Sequence, residues 1–131
     1  MNDRASAEAI RRFVRQTLGC SCPDEILERL HWRSLTLPAS RIPILRISVG
    51  DRLLLDVVPL EALREPEAEI PVLLGRGVAS RDNLGLNRYR LALVCRRREP
   101  AMEARCEALL PRWDRAHLHW VGPQEVCDLP M

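Results

Sequence analysis

Apolar positions along the chain change spacing twice, and each change marks a change of local structure. Ile10, Phe13, Val14 and Leu18 recur at three- and four-residue intervals, with Arg11, Arg12 and Arg15 on other faces; this predicts a helix over residues 4–18. Gly19 is a natural stop, since it accepts a left-handed backbone without steric cost. Cys20-Ser21-Cys22-Pro23 then opens a second helix over residues 23–30, with Ile26, Leu27 and Leu30 as its stripe. Its start is either a capping box of Ser21 and Asp24 or Cys22 ahead of Pro23 at the first helical position.

From Trp32 the period falls to two. Residues 32–37 read as a short strand and Pro38-Ala39-Ser40 as a loop. Leu45, Ile47 and Val49, then Leu53, Leu55 and Val57, alternate about Gly50-Asp51, which predicts a hairpin over about 44–58. A two-residue turn would set Leu45 opposite Asp56. A three-residue turn at Gly50-Asp51-Arg52 aligns all six apolar residues on one face, so alternation selects the odd-length turn.

Residues 60–65 suggest a single helical turn. Residues 70–74 read as a strand that Pro71 demotes to a sheet edge, which makes a homodimer a candidate assembly. Residues 75–87 read as a loop. Residues 89–95 are apolar on both faces, as in a central strand. Pro100 opens a helix carrying Met102, Cys106, Leu109, Leu110 and Trp113, which Pro111 must kink or end. Residues 117–121 form a last strand and 122–131 a polar tail. Strand, helix and strand across 88–121 suit a right-handed crossover to a parallel neighbour. The reading is α+β: an N-terminal helix pair, then a mixed β-sheet. One domain over 1–131 is expected, with a helical section (4–30), a mixed-sheet section (32–121) and the tail.

Composition removes whole classes of chemistry. All twenty basic side chains are arginine, and the absence of lysine excludes Schiff-base and pyridoxal-phosphate enzymes, standard P-loops and protein kinases. The formal charge of +2 lacks the basic excess of a dedicated nucleic-acid binder. No apolar run approaches membrane-spanning length and no secretory signal opens the chain, so a cytoplasmic setting is expected. Arginine-only usage suggests a bacterial, GC-rich source. Five cysteines, an odd number, do not read as a disulfide framework in a reducing compartment.

Four groups of residues carry candidate chemistry. Cys20 and Cys22 form a C-x-C pair, with Cys22 next to a helix start whose unpaired N–H groups would favour a thiolate. Asp24 and Glu25 in the same turn oppose that charge. His117 and His119 point to one side of a strand and could hold a metal, if further ligands converged. Arg76 and Arg81 stand in the 75–87 segment, where a glycine-containing loop could face a phosphate or carboxylate. Arg88, Arg90, Arg96, Arg97 and Arg98 cluster around the central strand. No nucleophile elbow or triad order is present. The sequence thus suggests a non-catalytic interaction module that needs no cofactor and binds an acidic protein or a small anionic ligand through its arginines. The alternatives are thiol redox or metal handling at Cys20 and Cys22 and, more weakly, nucleic-acid binding through Arg88–Arg98.

Overall fold

The computed structural model describes residues 4–37 and 41–131; the loop expected at 38–40 lies outside them. Helix α1 (Arg4–Arg12) runs on as a π-helical turn, Phe13–Thr17, and the chain reverses at Gly19, whose φ is +69°. A single turn, α2 (Asp24–Leu27), precedes β1 (Leu30–Thr36), β2 (Pro43–Val49) and β3 (Leu53–Pro59). Helix α3 (Pro66–Asn83), β4 (Arg88–Val94), α4 (Pro100–Glu107) and β5 (Ala116–Val121) complete the order. The fold is α+β, as its patterning predicts.

The sheet order is β1-β2-β3-β4-β5, antiparallel through β3 and parallel from β3 to β5. The hairpin has the expected odd-length turn: Val49 faces Leu53, Ile47 faces Leu55 and Leu45 faces Val57. The crossover from β4 through α4 to a parallel β5 is also as expected, and α4 ends before Pro111, which lies in a 3₁₀ turn. Alternation then splits the core in two. Leu45, Ile47, Leu55, Val57 and Ala92 pack on Ile10, Phe13 and Val14. Leu54, Val58, Leu91 and Leu93 pack on the other side against Ile70, Leu73, Leu74 and Met102.

Four expectations fail. The second helix is one turn long, and Leu30 already belongs to β1. No side-chain cap forms there, because Pro23 and not Ser21 or Cys22 takes the cap position. Residues 70–74 and most of 75–87 are neither strand nor loop but α3; the sheet edges are β1 and β5, so the proposed dimer edge near Ile70 does not exist. The stripe Ile70, Leu73, Leu74, Gly77 and Arg81 is buried at helical spacing. Pro71, the sixth residue of α3, gives up the bond to the Glu67 carbonyl, and the helix continues past it. Finally, the tail is not simply polar, since Val126 and Leu129 are buried in the N-terminal core.

One polar network crosses the second core. Arg46 on β2 donates two hydrogen bonds to Asp56 on β3, each 2.8 Å, and the Tyr89 hydroxyl on β4 donates to the same carboxylate at 2.8 Å. A further bond of 3.1 Å runs from Arg46 to Ser80 Oγ on α3. Asp56 is 2% exposed and Tyr89 is fully buried. Burial and the adjacent carboxylate raise the Tyr89 pKa well above that of a free phenol, so it stays a donor. Three strands and a helix thereby share one set of charges.

Candidate functional site

The turn that follows the first helix, residues 19–22, leaves a space against the sheet end where β3 and β4 begin. Parallel register places Arg88 beside Leu53 and Arg90 beside Leu55, so both arginines face the side on which that helix packs. The uncovered space is a cavity of about 350 Å³ lined by Gly19, Cys20, Ser21, Cys22, Arg52, Leu53, Asn87, Arg88 and Arg90. Arg52 arrives from the hairpin turn, and its carbonyl accepts the N–H groups of Asn87 and Arg88, each at 2.8 Å. The wall formed by residues 19–22 is fastened on both sides. Cys20 N–H donates to the Val14 carbonyl, Arg15 donates to the Cys22 carbonyl at 2.8 Å, and Arg90 donates to the Leu18 carbonyl at 3.2 Å.

No carboxylate lines this cavity. Among the described residues Arg52, Arg88 and Arg90 form no ion pair, whereas Arg15, Arg46, Arg98 and Arg105 each hold an acidic partner. Arg90 also meets His119 Nε2 at 3.0 Å, and its Nε is buried without a partner. Three guanidinium groups around one concavity make it electropositive, and low-dielectric walls concentrate such a field.

That field bears on the neighbouring groups. The Cys22 thiol is pushed up to about 11, first by burial and then by its contact with Cys20, and the Arg52 and Arg90 charges only partly offset this. The thiolate expected at Cys22 from its place before a helix is therefore not favoured; α2 is too short to supply much dipole, and the sulfur is buried. Burial, then Arg90, then His117 hold His119 down at about 4, and burial with Arg90 and Arg88 also lowers His117. His119 is neutral at pH 7 and accepts the Arg90 hydrogen bond. Its folded pKa lies below the unfolded value near 6.5, so its contribution to stability is complete above pH 6.5 and is lost as pH falls toward 4. His119→Gln keeps an acceptor without the titration. Urea unfolding across pH 4–7 should show a loss in the wild type that this variant lacks; parallel pH profiles would contradict the assignment.

The remaining candidates lie elsewhere. Arg81 is 2% exposed and donates to the carbonyls of Asp114 and Arg115, which fixes the turn into β5; it is not available to a ligand. Arg76 is exposed on α3, on the opposite side of the sheet from the cavity. Arg96 and Arg97 lie past the far end of β4, about 20 Å along the strand from Arg90 at roughly 3.3 Å per residue. They line a separate cavity of about 260 Å³ with Glu61, Leu60 and Cys95. Arg98 is engaged twice by Glu103. The arginines of 88–98 thus form two groups, not one surface. His117 and His119 do share a face, but no third metal-binding side chain joins them among the described residues, and His119 Nε2 is taken by Arg90. Cys95 and Cys106 are buried and Cys127 is exposed.

Arg52 is the site residue that sequence reasoning missed. It carries the last position of the odd-length turn, and that turn places it beside the start of a parallel neighbour. Comparison with protein-family models, with curated proteins and with solved structures returns no match. Among the described residues no helix is long and apolar enough to cross a membrane.

Proposed function

We propose that the protein is an anion-binding module whose site is the cavity between residues 19–22 and the start of β4. The observation that carries this reading is the convergence of Arg52, Arg88 and Arg90 on one concavity with no acidic residue in its lining. Arg52 and Arg88 are exposed and hold no acidic partner among the described residues, and the planar forks of guanidinium groups suit phosphate or carboxylate oxygens. A volume of about 350 Å³ suits a small polyvalent anion rather than a protein surface. Nucleic-acid binding has less to rest on, because the two arginine groups lie at opposite ends of β4 and offer no continuous phosphate track.

Isothermal titration with inorganic pyrophosphate tests the reading. Arg52 and Arg88 are exposed and their side chains make no hydrogen bond or ion pair among the described residues, so Arg52→Gln/Arg88→Gln should fold normally. At about 1 kcal/mol for each exposed ion pair, the double variant should bind about thirty-fold more weakly. Arg96→Gln/Arg97→Gln should bind like the wild type, and affinity should fall with added salt. Equal affinity in wild type and the Arg52/Arg88 variant would overturn the proposal. Loss confined to the Arg96/Arg97 variant would move the site to the far end of β4.

A further inference from the structure

The cavity that gathers three arginines also holds a pair of thiols. Cys20 Sγ and Cys22 Sγ lie 2.6 Å apart on its wall, Cys20 half-buried and Cys22 buried. Cys22 belongs to the N-terminal core and Cys20 packs against it, but neither that packing nor the anion reading calls for two sulfurs in contact on a cavity wall. Cys106 shows how the chain uses cysteine for packing alone: it is buried in the second core among apolar side chains.

We propose that the site is a dithiol that exchanges with small anionic disulfides, the arginines holding the carboxylates of the substrate while its sulfur–sulfur bond meets Cys20. This rests on the anion reading and names its ligand class. Cys20, the more accessible sulfur, gives its proton to solvent and as the thiolate attacks one sulfur of RS–SR. The S–S bond of the substrate breaks, Cys20–S–S–R forms and RS⁻ leaves. Cys22 passes its proton to a released thiolate and attacks Cys20 Sγ, expelling the second RS⁻ and closing the Cys20–Cys22 bond. Two cysteine thiols are oxidised and one disulfide is reduced to two thiols. The roles follow from placement. Burial first, and then the contact with Cys20, keep Cys22 protonated at the outset; the first exchange lifts the Cys20 contribution and supplies a released thiolate to take the Cys22 proton. Arg52, Arg88 and Arg90 then act by substrate charge, which an uncharged or cationic disulfide cannot use.

The test compares 3,3′-dithiodipropionate, a dianion, with cystamine, a dication, on the reduced full chain carrying Cys127→Ser to remove the exposed thiol. Each rate is normalised to that of 2-mercaptoethanol at the same pH. The dianion should be preferred by tenfold or more, in keeping with electrostatic focusing at a charged cleft. The preference should collapse toward one in Arg52→Gln/Arg88→Gln and in high salt. Peptide mass mapping should find a Cys20–Cys22 bond and no lasting adduct. Arg90 is left intact because it also ties Leu18 to His119. A normalised preference near one in the wild type, or a product that stops as a mixed disulfide, would overturn the proposal. If pyrophosphate still binds in that case, the anion site stands and only the thiol chemistry falls. If pyrophosphate fails to bind, both fall together.

Discussion

Gly77→Ala should destabilise the protein by about 2–4 kcal/mol, although alanine is the better helix former by about 1 kcal/mol. A Cβ at position 77 would fall onto the Tyr89 ring, against Cζ and both Cε atoms. Neither partner can yield easily. The backbone at Gly77 lies within the 18-residue helix α3, and Tyr89 is fully buried in the middle of the sheet, with its hydroxyl on Asp56. Overpacking costs about 1–3 kcal/mol, and moving the ring also disturbs a hydrogen bond to a charged acceptor, worth about 1.5–3 kcal/mol. These terms exceed the gain in propensity. Thermal unfolding should show a midpoint lower by about 10 °C, at a few degrees per kcal/mol for a domain of this size. A variant as stable as the wild type would mean that α3 does not rest on Tyr89.

Asp56→Ala should cost about 3–5 kcal/mol, a large share of a typical domain stability of about 5–15 kcal/mol. The substitution strands the Arg46 guanidinium between sheet and helix and leaves the Tyr89 hydroxyl without its acceptor. The cost comes from the orphaned charge rather than from the net value of the pair. Replacing the whole set with apolar groups of similar size, as Arg46→Met/Asp56→Leu/Tyr89→Phe, should therefore be far milder, within about 2 kcal/mol of the wild type. Denaturant unfolding of both variants separates the two accounts. If the triple variant is as unstable as the single one, the network contributes attraction of its own.

These two sites also show where the sequence was readable. Alternation at Leu45, Ile47, Val49, Leu53, Leu55 and Val57 determined both strands and the turn between them, because a one-residue slip would have put Asp56 among apolar partners. The same logic left Asp56 itself unexplained. On the opposite face it has its own partners, Arg46 and Tyr89, 10 and 33 residues away in the chain. Helix α3 is hidden in the sequence because Pro71, Gly75 and Gly77 are breakers by local propensity. Tertiary contact decided otherwise: Gly77 admits the Tyr89 ring and Gly75 lies against Trp113. The spacing of Ile70, Leu73, Leu74 and Gly77 already carried the helical period.

The candidate site was legible only in pieces. Cys20, Cys22, Arg88 and Arg90 stand out in the sequence, but the two pairs are separated by more than sixty residues of chain. What joins them is the packing of the first helix and its turn on the sheet, with Arg90 bonded to the Leu18 carbonyl, a non-local contact that no local pattern encodes. The parallel pairing of β3 with β4 brings Arg52 into the group and leaves Arg96 and Arg97 at the other end of the strand. Local charge density is therefore a poor guide here, since it merges two separate surfaces into one.

The most direct test of the anion site is a map of where an anion binds. In a ¹⁵N–¹H spectrum of backbone and guanidinium groups, titration with pyrophosphate at low salt should shift resonances of residues 19–22, Arg52, Leu53 and 87–90, and those signals should saturate together. Shifts centred on Arg96 and Arg97, or spread without saturation over the arginines of the whole surface, would contradict the account.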